Sequence, residues 1–252
     1  MAKIIAPFKI IGTLNDLTFY IDQDGKNLAR TKGKTGVSSK EFKRNPIFTK
    51  VKNHGKEFGR AAKKAQNFRG IALYFNQRAK DGSFSGRGNK LMLEVIHEDT
   101  TNVQGERTFD KGINPETRSY FVGFEGNKLR PLKGVLKTNW SWDENKNTLS
   151  IADFNPETHI DWPDKADNVH LAIANANWNY VENKFETHYS QEIVLKKEEE
   201  SQNIILTTEN REPKTDNNIR LLYLFIGFST QERKKTKELK RSNNTVTIIW
   251  SK

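Results

Sequence analysis

The apolar positions of this chain change their period about a third of the way along. In NPIFTKVKNHGKEFGRAAKKAQNFR, residues 45–69, they recur at steps of three and four: Phe48, Val51, Gly55, Phe58, Ala62 and Ala65. That is the period of one face of an α-helix. Asn45 suits an N-cap and Pro46 the first helical position. Gly55 and Gly59 stand four apart on adjoining parts of the same face. A glycine inside a helix costs about 1 kcal/mol against alanine, and close approach of another backbone is the expected compensation. The spacing therefore predicts a docking stripe, Phe48, Val51, Gly55, Phe58, Gly59, Ala62 and Ala65, facing either its own fold or another copy. The pattern runs on through GIALYFNQRAK with a soft break at Gly70, and LMLEVIHED (91–99) suggests a second helix.

Before this helix, LTFYID and KNLAR flank DQDG, which predicts a hairpin within 8–31 with Gly25 in the turn. Asp22 and Asp24 are reminiscent of a calcium loop. Gly25 falls too early for an EF-hand, however, and the other ligands are missing. A polar connector, KGKTGVSSKEFKR, follows at 32–44.

After residue 100 the pattern becomes short runs of β-formers bounded by polar turns. Strands are expected at 119–125, 134–142, 148–154, 169–178, 191–197, 203–208, 219–230 and 245–250, with a tight turn at DENKN (143–147). The run LLYLFIGF (221–228) is too short to span a bilayer and suits a buried strand. A long loop, ERKKTKELKRSNN, separates it from TVTIIW, whose outer edge is a candidate for pairing by another subunit. The expected fold is α+β: a basic hairpin-plus-helix region over 1–100, then an antiparallel β-sandwich over 101–252.

Charge sharpens this division. The 252 residues carry a net +11, but residues 1–90 hold 20 Lys/Arg against 6 Asp/Glu, a net of +14. The remainder is mildly acidic at −3, from 22 Lys/Arg and 25 Asp/Glu. An anionic partner for the first third is one consequence, and head-to-tail contact with an acidic surface of another copy is the other. Candidate anion- or partner-binding side chains are Lys50, Lys52, Lys56, Arg60, Lys63, Lys64, Arg69 and, in the glycine-rich stretch DGSFSGRGNK (81–90), Arg87. Phe42, Phe68 and Phe84 offer stacking faces for a nucleic acid.

Catalytic patterns are not evident. The chain has no cysteine, which removes disulfides, thiolate metal sites and cysteine nucleophiles. Its five histidines, His54, His97, His159, His170 and His188, show no metal-ligand spacing. His159 and Asp161 are a weak pair, and His54 reads as a surface or interface group. GSFSG has Phe84 where a nucleophile elbow needs serine, and the same loop fails the Walker pattern at Arg87 and Gly88. Its amides retain the capacity to cradle a phosphate beside Arg87 and Lys90. Trp140, Trp142, Trp162 and Trp178 would serve a carbohydrate-binding sandwich if exposed. No catalytic residue, metal, cofactor or small-molecule substrate is expected. The N-terminal stretch carries no continuous apolar signal segment and no run of about 18 apolar residues exists. That suggests a chain cytoplasmic on synthesis or part of a particle.

GTLNDLTFY (12–20), DGKNLAR (24–30), the 45–69 helix with its Glu-Phe-Gly-Arg-Ala core and, more loosely, LMLEVI (91–96) resemble an uncharacterised bacterial family, a domain of unknown function. The resemblance covers roughly a third of the chain. It implies a recurring hairpin-plus-helix unit followed by a β-rich segment, and it transfers no functional residue. The function expected from the sequence is a non-enzymatic structural protein that self-associates into a filament, tube or phage-like particle. Nucleic-acid binding through the basic helix is the alternative, and carbohydrate binding a second.

Overall fold

The computed structural model describes residues 2–22, 25–31, 33, 36–209, 217–232 and 235–252. The fold is mixed α+β with antiparallel sheets, and its β-rich part is C-terminal. The chain divides into two compact units, 1–51 and 52–252. The boundary thus falls inside the basic helix and not at 100/101. The reason is that the helices after residue 52 share their core with the C-terminal sheet.

Unit 1 holds a four-stranded antiparallel sheet, β1 (Ala2–Lys3), β2 (Gly12–Leu14), β3 (Leu17–Ile21) and β4 (Asn27–Thr31), in the order β1-β4-β3-β2. The expected hairpin is β3–β4. Gly25 has φ +78°, and the Asp22 carboxylate accepts the Lys26 amide across the turn; Asp24 lies outside the described residues. A short helix α1 (Ser39–Arg44) is capped by Ser38 and has no buried residue.

In unit 2 the scaffold is a six-stranded antiparallel sheet. It comprises β7 (Asn168–Asn179), β8 (Lys184–Tyr189), β9 (Ile193–Lys196), β11 (Asn218–Glu232), β12 (Lys235–Glu238) and β13 (Thr245–Ser251). A second sheet, β5 (Ser141–Asp143), β6 (Thr148–Phe154) and β10 (Gln202–Thr207), has the order β10-β6-β5. The helices that pack on the six-stranded sheet are α2 (Thr49–Ile71), α3 (Leu73–Arg78) and α4 (Phe84–His97), besides several one-turn helices. β7 and β11 pair from Asn179↔Asn218 to Asn168↔Ser229 at the centre. Both faces of this pair are covered, so LLYLFIGF is apolar without alternation. Leu221, Tyr223 and Phe225 share a core with Ala172, Ala174, Ala176 and Trp178 of β7 and with Ala61, Ala65, Phe68, Phe75 and Met92 of the helices. Leu222, Leu224, Ile226 and Phe228 share the opposite core with Leu149, Ile151, Phe154, Ile204 and Leu206 of the smaller sheet. The layers of unit 2 are therefore helices, large sheet, small sheet.

Several local expectations change under tertiary contact. Residues 119–125 form a 3-10 turn and an irregular segment rather than a strand. Of 134–142, the first residues belong to a one-turn helix, Leu132–Val135. β8 appears where no strand was expected, and β12 lies within the anticipated long loop. The edge of β13 is already occupied: the Gly123 and Gly126 amides donate to the Ile248 and Val246 carbonyls, and the Ile248 amide donates to Phe124. That edge is closed to an added strand between 246 and 248.

The helix stripe is rotated by about one residue, roughly 100°. Buried positions on α2 are Glu57, Ala61, Ala65, Phe68 and Ile71. Of the expected face only Ala65 is buried. Val51 is 57 % and Phe58 46 % exposed, and a Cβ on Gly55 or Gly59 would meet nothing within 4 Å. The close approach that glycine permits occurs instead at Gly112, where a Cβ would lie 1.9 Å from the Val95 carbonyl oxygen of α4.

Phe225, stacked on Phe75 with ring centroids 4.9 Å apart, separates the two stripes experimentally. Phe225→Ala is expected to lower the unfolding free energy by about 3–5 kcal/mol. Phe58→Ala should change it by about 0.5 kcal/mol or less, as at an open surface position. Urea denaturation of dilute protein measures both.

Candidate functional site

The basic side chains named from the sequence separate into two groups. Arg60 donates to the Gly105 and Arg107 carbonyls at 2.7 and 2.8 Å. Lys64 pairs with Asp110 at 3.1 Å and donates to the Tyr180 carbonyl. Arg69 donates to Asn89 at 3.0 Å. Arg87 binds both Asp81 oxygens at 2.8 Å and the carbonyls of Glu125 and Gly126. These four cations tie α2 and α4 to neighbouring segments of unit 2. Lys50, Lys56 and Lys63 are exposed and Lys52 half-buried.

The stretch 81–90 is not a phosphate-cradling loop. Asp81 accepts the Ser83 amide at 2.6 Å, α4 begins at Phe84, and Phe84, Leu91, Met92, Val95 and Ile96 form its buried face. The hydrogen bonds from Arg87, Lys128 and Ser83 outweigh the desolvation of the Asp81 carboxyl and hold it down at about 2. Phe68 and Phe84 are buried, which removes them as stacking faces, while Phe42 stays exposed. Trp178 is fully buried, which removes it as a sugar platform, and Trp140, Trp142 and Trp162 are half-buried against the small-sheet core.

Folding assembles two polar clusters that sequence spacing did not announce. In the first, Glu57 of α2 is 0 % exposed. Its Oε1 accepts the Gly105 amide at 2.7 Å and Arg107 Nε at 3.0 Å. Its Oε2 accepts no hydrogen bond and lies 3.5 Å from His97 Nε2 at the end of α4. His54, one turn before Glu57, brings its ring to 6.4 Å from that of His97, centroid to centroid. The loop 98–108 supplies Gly105 and Arg107 because Asp99 organises it. That carboxylate accepts the amides of Thr101, Asn102 and Thr108 and the side chains of Thr101 and Asn102. Burial alone would raise the Asp99 pKa, but these bonds hold it well below the usual carboxylate range. Gly105 has φ +97°, and a Cβ there would lie 2.5 Å from the Asn53 side chain.

In the second cluster, Arg78 of α3 binds Glu192 in bidentate fashion at 2.7 and 3.0 Å and Glu238 at 2.8 Å, and its guanidinium lies 4.3 Å from the Phe225 ring centroid. His170 Nδ1 is 2.6 Å from Glu192 and its Nε2 is 2.7 Å from Ser229 Oγ. Ser229, His170 and Glu192 have the connectivity of a hydrolytic triad. Ser229, however, is 0 % exposed within the central strand, and Asn168 Nδ2 also approaches its hydroxyl, at 3.3 Å. A substrate has no access to this oxygen. The network closes the end of the helix-side core with charge and satisfied hydrogen bonds.

The weak His159–Asp161 pair is divided between different partners. The His159 ring accepts the Asn155 amide at 3.1 Å, and Asp161 is held by Arg130 and, at 3.6 Å, by Lys137. Among the described residues, no helix is long and apolar enough to cross a membrane. No protein-family model, curated protein or solved structure matches the chain.

Desolvation pushes the Glu192 carboxyl up, but bonds from His170 and Arg78 dominate and draw it from 4.5 down to about 2. A depressed carboxyl stabilises the fold above its unfolded-state value and loses that contribution as pH falls through its folded one. Glu192→Gln should therefore destabilise the protein at pH 7 by about 1–3 kcal/mol. Its deficit against wild type should shrink between pH 4.5 and about 2. Urea unfolding at a series of pH values measures the difference.

Proposed function

We propose that this is a non-enzymatic structural protein that self-associates, with the N-terminal unit as its docking element and a second copy as the occupant. The observation that carries the reading is the poverty of that unit's own core. Among its described residues only Asn27 and Ala29 are buried. Meanwhile Ile5 is 90 %, Ile11 72 % and Ile47 76 % exposed, with Phe8 and Leu14 exposed beside them. A 51-residue unit with so little interior has a thin hydrophobic basis for independent order. Exposed apolar side chains concentrated in one segment mark a surface meant to be covered.

Charge supports another copy as the cover. The basic excess lies in residues 1–90 and the acidic one in 91–252, and a contact joining different surfaces of two copies propagates into rings or filaments. Lys50, Lys56 and Lys63 stay exposed beside the uncovered Val51, Gly55, Phe58 and Gly59, so the α2 face expected to meet either its own fold or another copy is open to such a contact.

Light scattering after size exclusion and negative-stain microscopy should show assemblies well above the 29.1 kDa chain at low salt, shrinking as salt rises. The double substitution Ile11→Asp with Ile47→Asp should leave a folded monomer. A wild-type protein that stays monomeric at all salt concentrations, yet binds DNA or RNA with a steep salt dependence, would replace this reading with the nucleic-acid one.

A further inference from the structure

Glu57 presents a physical problem that its surroundings do not solve. A buried carboxylate oxygen without a hydrogen bond keeps the full penalty of its lost hydration. Oε1 has two good donors, Gly105 and Arg107, but Oε2 has none. His97 Nε2 lies 3.5 Å from it, beyond good hydrogen-bonding range. Two ligands of one tetrahedral ion, each about 2.0–2.1 Å from it, stand about 3.3 Å apart. The Glu57–His97 separation is close to that spacing.

His54 completes the set. It precedes Glu57 by three residues on α2, where i and i+3 side chains are neighbours. Ligand atoms of His54, Glu57 and His97 all lie within 4.8 Å of one another. Both imidazoles are at the surface, so small side-chain rotations suffice to converge on one ion. The carboxylate is the anchored member: Gly105 and Arg107 orient it through the other oxygen, as outer-shell donors do around metal ligands. Arg107 neutralises part of that charge but engages only Oε1.

We propose that His54, Glu57 and His97 bind one divalent transition-metal ion of borderline softness, of the zinc class. Two imidazoles and one carboxylate supply three ligands and leave a coordination position open toward solvent. All three residues belong to unit 2, so the site is independent of whether the N-terminal unit mediates self-association. Sequence spacing concealed it because His97 is forty residues from Glu57 and on another helix. Only the packing of α4 beside α2 joins them.

The test uses the full chain, stripped with a chelator and dialysed. Titration with Zn2+ alone should give one equivalent per chain and a higher melting temperature. Co2+ should give the visible absorption of a low-coordinate nitrogen/oxygen site. His54→Ala and His97→Ala remove exposed side chains and should keep the native circular dichroism while weakening Zn2+ binding at least about tenfold. His188→Ala, outside the cluster, should bind as wild type. Glu57→Gln should abolish the Co2+ spectrum; should it fail to fold, the two histidine variants decide. Absence of Zn2+ binding at micromolar metal, or binding unchanged in both His54→Ala and His97→Ala, overturns the proposal.

Discussion

The pairing of β7 with β11 is the constraint on which unit 2 depends. These two strands run together along twelve residue pairs and bury side chains on both faces. One face fixes the position of the helices and the other that of the small sheet. The composition of the two strands reflects this. β7 turns Ala172, Ala174 and Ala176 toward the helix-side core, leaving room for Phe68, Phe75 and Trp178, while β11 contributes large side chains to both. Close packing of small against large residues makes helix placement specific rather than merely hydrophobic.

At the two ends of the helix layer, charge takes over from packing. Arg78, Glu192, His170 and Ser229 close one edge through a chain of short polar contacts. Glu57, Arg107 and the Asp99-organised loop build the other polar cluster, where α2 and α4 lie together. Both use ionised groups with most hydrogen bonds satisfied, the condition under which buried charge is tolerated. They differ in one respect: both oxygens of Glu192 are hydrogen-bonded in the first network, whereas Glu57 Oε2 is orphaned beside two exposed imidazoles. The buried triad-like arrangement is structural, whereas the orphaned oxygen beside exposed imidazoles is the feature on which the proposed metal site rests.

The function proposed here rests on a contrast between units. Unit 2 has two well-filled cores, whereas unit 1 displays its apolar residues. The basic side chains divide in parallel: Arg60, Lys64, Arg69 and Arg87 are engaged in contacts within unit 2, and Lys50, Lys56 and Lys63 stay exposed. The electrostatic excess of the first third is therefore partly internal scaffolding, which weakens a pure nucleic-acid reading of α2.

The sequence by itself determined the element types with strong periodicity: the β3–β4 hairpin, the long α2, and β6, β7, β9, β10, β11 and β13. Local chemistry sufficed there, because capping, turn residues and β-branched runs act over a few positions. Only tertiary structure decided the phase of α2. Phe48 and Phe58 pull the apparent stripe one way, yet the buried face passes through Glu57, whose burial requires donors from Gly105 and Arg107 about fifty residues on. Likewise 119–125 has strand-forming residues but becomes an irregular cover for β13, and 81–90 has loop-like glycines but enters α4. Meeting points such as His54, Glu57 and His97 are set by which faces pack together, a long-range outcome that no local spacing encodes.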